Sequence, residues 1–477
     1  MRKIVIILVL AAASGCMVGP NYKRPAVEAP QTWRFEDAEA RGAANTAWWQ
    51  QFSDPVLDEL IRTALRENKD IKIAAARVQQ FLGQYGTTRA AFFPQVGAGG
   101  SVGQQRASEL SGPTPLEGTG VDPTYGVGEL YLNASWEIDL WGKVRRSSEA
   151  AQANLLASEE NRRAVLMSLV SAVANSYVNL RSLDKQLEIS KRTAVSREKS
   201  YQIFKLRFEG GVTSQLELTQ MKSEYEEALA RIPVYEKSVA QQENALSVLL
   251  GHNPGAIRRG KSIDELAFPA VPAGLPSELL ANRPDIRGVE QDLVAANANI
   301  GVAKARYFPS ISLTGFLGVA SADLATLFTA PAQVWGAAAP ITMPIFTAGA
   351  IAGQVKAAEA FREQLLLRYQ QSIQNAFREV DDALVDQKWS REQLAAQGRQ
   401  VDALLEYARI ARLRFDEGYT SYLEVVDAER SLFNAQLSSA QTQGAIFQSL
   451  VNIYKAMGGG WVVAAEQIAA EAPKALP

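Results

Sequence analysis

The stretch LRFEGGVTSQLEL at residues 206–218 returns almost unchanged as LRFDEGYTSYLEV at residues 413–425, 207 positions further along the chain. At the same spacing Gly142 corresponds to Gly349. Upstream the spacing is 215, so that Phe93-Pro94 corresponds to Phe308-Pro309. Similarity over so long a range indicates one structural unit present twice. The change in spacing places a longer connection in the first copy.

Each copy begins with a helix, at residues 70–91 and 285–306, which a Phe-Pro pair ends. Two strands follow, predicted at about 94–106 and 127–141 in the first copy and about 309–320 and 333–346 in the second. Residues 127–140 alternate between an apolar and a polar face. The apolar face carries Leu130, Leu132, Ala134, Trp136, Ile138 and Leu140, and the polar face Glu129, Tyr131, Asn133, Ser135, Glu137 and Asp139.

A very long helix comes next in each copy. Residues 143–207 contain neither Pro nor Gly, and at about 1.5 Å per residue they would extend roughly 98 Å. Residues 354–416 repeat this pattern with a single Gly. A short tip and a return helix of about 37 residues complete a helical hairpin. We expect Gly211 and Gly418 to end the outgoing helices. We expect Ser214 with Glu217, and Ser421 with Glu424, to form capping boxes that start the return helices.

The strands raise the question of what covers their apolar face. One apolar and one polar face suit a strand between lipid and water, and equally a strand in a sandwich of two sheets. Two hairpins are too few to close a membrane barrel, whose smallest members have about eight strands, and they leave open edges. Three chains would supply about twelve strands. The fold class predicted is therefore mainly α, with duplicated helix, β-hairpin and long helical-hairpin units.

The N-terminus has the pattern of a secretory signal. Residues 1–15, MRKIVIILVLAAASG, place two basic residues before an apolar run and small residues, and the single Cys of the chain, Cys16, follows. The pattern resembles a bacterial lipoprotein signal, in which the Cys becomes the lipidated mature N-terminus. The alternative is an ordinary cleavage site that leaves a free thiol. The residue after Cys16 is Met17. An Asp at that position would resemble an inner-membrane retention signal, so we expect the outer membrane.

Composition argues against several classes of protein. A net charge of −2 gives no indication of a nucleic-acid surface. One Cys precludes an intramolecular disulfide, and one His, His252 in a predicted loop, precludes a zinc site built on His and Cys. We therefore expect neither an enzyme nor a metal or cofactor. A structural coiled-coil protein of the envelope remains an alternative, which would not need the alternating strands.

Four motifs carry a resemblance to a known family: CMVGPNYKRP at 16–25, WWQQFSDPVLDELIRTALRENKDI at 48–71, NRPDIRGVEQDLVAANANIGVAKARYFPSISLTG at 282–315 and YTSYLEVVDAERSLFNAQ at 419–436. With them the chain resembles the TolC-like outer-membrane efflux proteins, in the lipoprotein branch of OprM/NodT type. The resemblance implies a homotrimer with a twelve-stranded membrane β-barrel and a periplasmic α-helical barrel. It also implies docking to a periplasmic adaptor and an RND-type inner-membrane pump. An exit duct for protein secretion is the alternative within this class.

The resulting domain prediction follows the repeat. It comprises a signal peptide at 1–15, a lipid-anchored segment at 16–64, the first repeat at 65–251, a linker at 252–278, the second repeat at 279–457 and a tail at 458–477.

The resemblance also assigns candidate site residues. The family closes its periplasmic end with acidic residues on the second hairpin, and Glu424 and Asp427 match those positions. Two alternatives remain open, a purely capping Glu424 and a surface pair of Asp427 with Arg430. The repeat partner of Asp427 is Gln220, so the shared fold does not require its carboxylate. Phe415 is a candidate apolar plug. The predicted adaptor contacts are Gly210, Gly211, Val212, Thr213 and Ser214 at the first tip and Gly418, Tyr419, Thr420 and Ser421 at the second.

We predict that Cys16 carries the lipid. Metabolic labelling with a fatty acid such as palmitate should mark the wild-type chain and Met17→Ala, which keeps the thiol. It should not mark Cys16→Ser, because the lipid is attached through the sulfur of Cys16. Label that persists in Cys16→Ser would contradict the assignment.

Overall fold

The computed structural model describes residues 17–28, 30, 32, 33, 35, 47–106, 108, 122–268 and 276–470. The predicted signal peptide and Cys16 lie outside these residues. The chain divides into two compact units. The first contains the described residues through Pro25, Val78–Ala157 and Val289–Tyr369, and the second contains the described residues of Ala26–Arg77, Ser158–Gly288 and 370–477. Within the described ranges, no helix is both long enough and apolar enough to cross a membrane.

The regular elements follow the order expected from the repeat. The α-helices are α1 (Pro55–Glu67), α2 (Lys69–Ala90), α3 (Lys143–Glu209), α4 (Gln215–Leu249), α5 (Pro276–Asn282), α6 (Pro284–Ala305), α7 (Ala350–Asp416), α8 (Tyr422–Met457) and α9 (Trp461–Ala470). The strands are β1 (Gln95–Arg106), β2 (Thr124–Ile138), β3 (Ser310–Ser321), β4 (Gln333–Ala338) and β5 (Ile341–Thr342).

The strands form one antiparallel sheet in the order β1-β2-β3-β4, with β5 also paired to β3. Leu132 lies opposite Leu317, and Leu317 lies opposite Trp335, so the three side chains share one face. They are 55%, 63% and 76% exposed. The predicted alternation is thereby confirmed, and its apolar face lies open to the surroundings.

Two predicted strand ranges need correction. The strand expected at 127–141 ends at Ile138, because the Asp139 carboxylate accepts hydrogen bonds from the N–H groups of Val144 and Arg145 and so caps α3. The strand expected at 333–346 is wrong as one element. It breaks after Ala338 into β4 and the two-residue β5, because Pro340 between them has no N–H to donate to the ladder.

The long helical hairpins are confirmed. The outgoing helices α3 and α7 each have 67 residues, and the return helices α4 and α8 have 35 and 36. In the first unit, small residues mediate the helix packing in a buried cluster of Ala150 and Ala153 from α3 with Ala295 and Ala298 from α6. Side chains of this size allow two helix backbones to approach closely.

The second unit has an aromatic core. Trp48, Trp49 and Trp461 are fully buried, and Trp48 stacks on Tyr454 with ring centroids 5.1 Å apart. Trp461 opens α9, so the segment predicted as a tail at 458–477 contains a packed helix. The buried indole of Trp461 explains why this segment forms a helix and not an extended tail, since burying an aromatic side chain of this size stabilises the segment to which it belongs.

The segment that follows Cys16 is held firmly against the first unit. The N–H of Val18 donates to the Trp141 carbonyl oxygen at 3.0 Å, and the buried Arg146 donates to the carbonyl oxygens of Val18 and Gly19. Gly19 has a φ of +99°, and a Cβ there would lie 2.4 Å from the Cα of Gly301. Residues 17–19 therefore lie beside Trp141 and the start of α3.

Candidate functional site: the two hairpin tips

The two tips share one backbone design. Gly211 and Gly418 adopt φ values of +71° and +80°, a region that Gly enters without steric cost. In both tips the N–H of the residue after this Gly reaches back five positions, from Val212 to the Arg207 carbonyl and from Tyr419 to the Arg414 carbonyl, each at 2.8 Å. This pattern satisfies the last carbonyl groups of α3 and α7 and ends each helix. The repeated sequence thus encodes a repeated helix stop.

The starts of the return helices differ. At the first tip the capping box is complete: the N–H of Glu217 donates to Ser214 Oγ at 3.2 Å, and the N–H of Ser214 donates to Glu217 Oε2 at 2.9 Å. Hydrogen bonds from Thr213 and Ser214 lower the pKa of the Glu217 carboxyl group. At the second tip the predicted capping box is wrong, because the Ser421 side chain caps no N–H group.

Glu424 has a different neighbour instead. Its carboxylate lies 3.8 Å from the guanidinium of Arg414 in the last turn of α7, with both side chains about half exposed. The repeat partner of Arg414 is Arg207, whose guanidinium lies over the Phe204 and Phe415 rings. The capping interpretation of Glu424 therefore fails, and its carboxylate is available at the surface of the tip.

Asp427 lies one helical turn further along α8. Its Oδ1 accepts a hydrogen bond from Arg430 Nη2 at 2.8 Å, and both side chains are 50% exposed. The surface pair weighed from the sequence is thus present. The structure brings Glu424 and Asp427 together on the first two turns of α8, each with an arginine partner.

Phe415 lies in an aromatic cluster beneath the second tip. Its ring centroid is 4.7 Å from that of Tyr422 and 5.9 Å from that of Phe204 on α3. The Arg207 guanidinium lies 5.4 Å from the Phe415 ring centroid. Phe415 therefore packs against the first hairpin of its own chain. Phe204 and Tyr422 have no aromatic counterpart in the other repeat, so the repeat did not point to them.

The residues predicted to contact an adaptor are accessible. Val212 and Tyr419 are 78% and 77% exposed, and each occupies the position directly after the helix-ending Gly of its tip. Leu216 and Leu423, in the first turns of the return helices, are also largely exposed. Both tips thus present apolar side chains at equivalent positions. Among the residues that the structure describes, no group of His, Cys, Asp and Glu side chains is arranged to hold a metal ion.

A family model decides the classification. The model of the family described as outer membrane efflux protein matches residues 60–252 and 275–459, one range for each copy of the repeat. The chain belongs to this family of outer membrane efflux proteins. The outer-membrane location, the role in efflux and the mainly α fold class that the resemblance implied are confirmed.

Individual relatives match along nearly their whole length. The probable efflux pump outer membrane protein TtgC of Pseudomonas putida is 36% identical, with 96% of each chain covered. The cation efflux system protein CusC of Escherichia coli is 37% identical, with 96% of this chain and 99% of that protein covered. The crystal structure of the open state of the Neisseria gonorrhoeae MtrE outer membrane channel superposes with a TM-score of 0.83, at 31% identity, over 93% of this chain and 98% of that one.

The unequal caps generate a matched pair of predictions. Ser214→Ala should cost about 1 kcal/mol locally and raise amide hydrogen exchange at the first tip by roughly fivefold, because it leaves the N–H of Glu217 without its acceptor. Ser421→Ala, at the equivalent position of the second tip, should change exchange there by less than about twofold, because it removes no capping bond. Equal effects at both tips would show that the difference between the caps has no energetic consequence.

Proposed function

We propose that this outer membrane efflux protein is the passive exit duct of a three-part pump. In this arrangement a periplasmic adaptor and an RND-type inner-membrane pump deliver small molecules, and the duct conducts them to the exterior. The observation that carries the proposal is the sheet. It exposes an apolar row at Leu132, Leu317 and Trp335, and its opposite face carries Glu129, Tyr131, Asn133, Ser135 and Thr314 around a cavity of about 690 Å³. A sheet with one lipid face and one wet face is what a membrane pore requires.

The sheet also supports a trimer. The outer edges of β1 and β4 have no partner strand within the described part of the chain, and open edges of this kind pair with further strands. Three copies would join β1 of one chain to the β4 and β5 edge of the next and close a barrel of about twelve strands. The envelope-scaffold alternative is not favoured, since it has no use for such strands.

We expect native mass measurement of the full chain in detergent to give a homotrimer, because a single sheet cannot close and cannot cover its own apolar face. A dimer or a monomer as the only species would contradict this expectation. Glu406→Gln, an exposed substitution on α7 far in sequence from the strands, is a control that should leave the mass unchanged.

The second tip would form the periplasmic constriction. Around a threefold axis, Glu424 and Asp427 would each give a ring of carboxylates, which attract cations and repel anions in a narrow passage. Arg414 and Arg430 lie close enough to balance these charges. The exposed apolar residues Val212 and Tyr419 would provide the contact with the adaptor, and a lipid on Cys16 would hold the assembly in the membrane. Relatives named for antibiotic efflux and for cation efflux each match 96% of this chain, which favours a pump partner that selects the cargo.

The channel and its constriction can be tested in one measurement. Purified wild-type protein in a planar lipid bilayer should conduct ions, and Asp427→Ala should raise the conductance several-fold and weaken cation preference, because a neutral ring neither narrows nor charges the passage. Folding should change little, since an exposed pair contributes only about 0–1 kcal/mol.

Two control variants separate the possible causes. Gln220→Ala, at the equivalent position of the first hairpin, should conduct like wild type. Arg430→Ala should leave cation preference in place if the carboxylate ring is responsible, and should reproduce Asp427→Ala if only the ion pair matters. A wild-type protein without conductance under any condition would overturn the channel. Unchanged conductance in Asp427→Ala would place the constriction elsewhere, with Phe415 the next candidate.

A further inference from the structure

A group of buried and half-buried charged side chains joins the two hairpins below the tips. Arg197 on α3 is only 4% exposed, and its guanidinium donates to the Glu224 carbonyl oxygen on α4 at 2.7 Å. Arg197 also lies 2.9 Å from the Glu224 carboxylate and 3.5 Å from that of the more exposed Glu227. Its guanidinium carbon stands 5.3 Å from the centroid of the Phe433 ring on α8. Arg197 therefore contacts both its own hairpin and the second one.

A second arginine makes the reverse connection. Arg412 on α7 donates from Nη1 to the hydroxyl oxygen of Tyr422 at 2.7 Å and from Nη2 to Ser200 Oγ on α3 at 3.2 Å. Ser200 and Tyr422 are buried, so the hydroxyl groups that hold Arg412 have little competition from water. Arg412 therefore ties the second hairpin to the first.

Glu429 on α8 is the remaining member of this group. Within the described part of the chain it makes no hydrogen bond or ion pair, yet it lines a cavity of about 520 Å³ together with Arg197 and Phe433. Charged groups surround it on the neighbouring helices: Arg197 and Arg192 on α3, Glu224 on α4 and Arg412 on α7. Tyr422, on the same helix as Glu429, lines with it a second and smaller cavity. Burial and the cations Arg412 and Arg197 therefore act on the Glu429 carboxyl group in opposite directions.

We propose that Glu429, at the junction of Arg197, Glu224 and Arg412, is a proton-sensitive lock that holds the two hairpins together when protonated and loosens them when ionised.

The lock is separate from the carboxylates of the second tip, because Glu429 faces the other hairpin of its own chain. It does not depend on the chain's being a channel, whereas any consequence for conductance rests on the proposed function.

The direction of the pH effect follows from linkage. Burial raises the pKa of the Glu429 carboxyl group, an effect that Arg412 and Arg197 oppose and Glu224 reinforces. Burial also raises the pKa of Glu224, against the pull of Arg197. When the hairpins separate, water reaches both groups and their pKa values return towards the ordinary value for Glu. The packed arrangement thus binds protons more tightly, so it is favoured at low pH and loses that contribution as the pH rises through the raised pKa.

Hydrogen exchange of the full-length protein in detergent tests the lock without requiring conductance. Peptides spanning 192–204 and 408–430 should exchange at least about threefold faster at about pH 8 than at about pH 5, after correction for the intrinsic pH dependence of exchange. Glu429→Gln, which mimics the protonated carboxyl group, should be as protected at the higher pH as wild type is at the lower. Glu406→Gln, an exposed carboxylate on α7, is the matched control and should keep the wild-type dependence.

Two outcomes would overturn the proposal: a wild-type protein whose corrected exchange is independent of pH, or a Glu429→Gln variant that keeps the full dependence. Glu224→Gln provides a second variant should the first fail to fold. It removes the neighbouring negative charge, so it should move the transition to lower pH, and an unmoved transition would also count against the lock. Because exchange is read on the hairpins themselves, a loss of conductance alone would challenge the exit duct and leave the lock standing.

Discussion

The apolar face of the sheet is the constraint on which the rest of this protein depends. Leu132, Leu317 and Trp335 stand next to one another across three strands and are more than half exposed. Exposed apolar surface of this kind is unfavourable in water at about 25 cal/mol for each Å², so the sheet is stable only where lipid or protein covers it. The signal predicted at the N-terminus, the hydrogen bonds that hold residues 18 and 19 and the open strand edges all agree with a sheet made for a membrane.

The second unit shows how a family motif can be structural. Arg283, in the NRPDIR motif, is almost fully buried. It donates to the Ala456 carbonyl oxygen at 3.1 Å and pairs with Asp285 at 2.6 Å and Glu379 at 2.8 Å. A Cβ on Gly458 would lie 2.8 Å from the Arg283 side chain, so that position has room only for Gly. A buried cation needs several such partners, because removing any of them leaves a desolvated charge. The motif therefore joins α6, α7 and the end of α8.

Duplication accounts for the likeness of the two tips, and later divergence for their difference. The helix stops at Gly211 and Gly418 are the same because they depend on backbone geometry, which the repeated glycines preserve. The side chains around them follow no such requirement. Glu217 closes a capping box at one tip, whereas Glu424 at the equivalent position approaches Arg414 and leaves Ser421 without a capping role. At the first tip the Glu217 carboxylate is thus engaged within the capping box. At the second tip the Glu424 carboxylate is half exposed and remains accessible to neighbouring groups.

Much of the fold could be predicted from the sequence, because its signals are local and periodic. The Pro-free runs before Gly211 and Gly418 and the alternation around Leu132 each specify an element without reference to distant residues, and the repeat shows that the elements occur twice. Three features became visible only in the folded chain: the cation beside Glu424, the packing of Phe415 on Phe204 and the entry of α9 into the aromatic core. The same holds for the grouping of Arg197, Arg412 and Glu429. Glu429 falls inside the motif at 419–436, but the motif does not reveal which cations lie beside it, because that environment exists only once four helices from both repeats pack together. The elements and their order follow from local sequence patterns, whereas the burial of charged side chains between two hairpins distant in the chain arises only when the hairpins pack together.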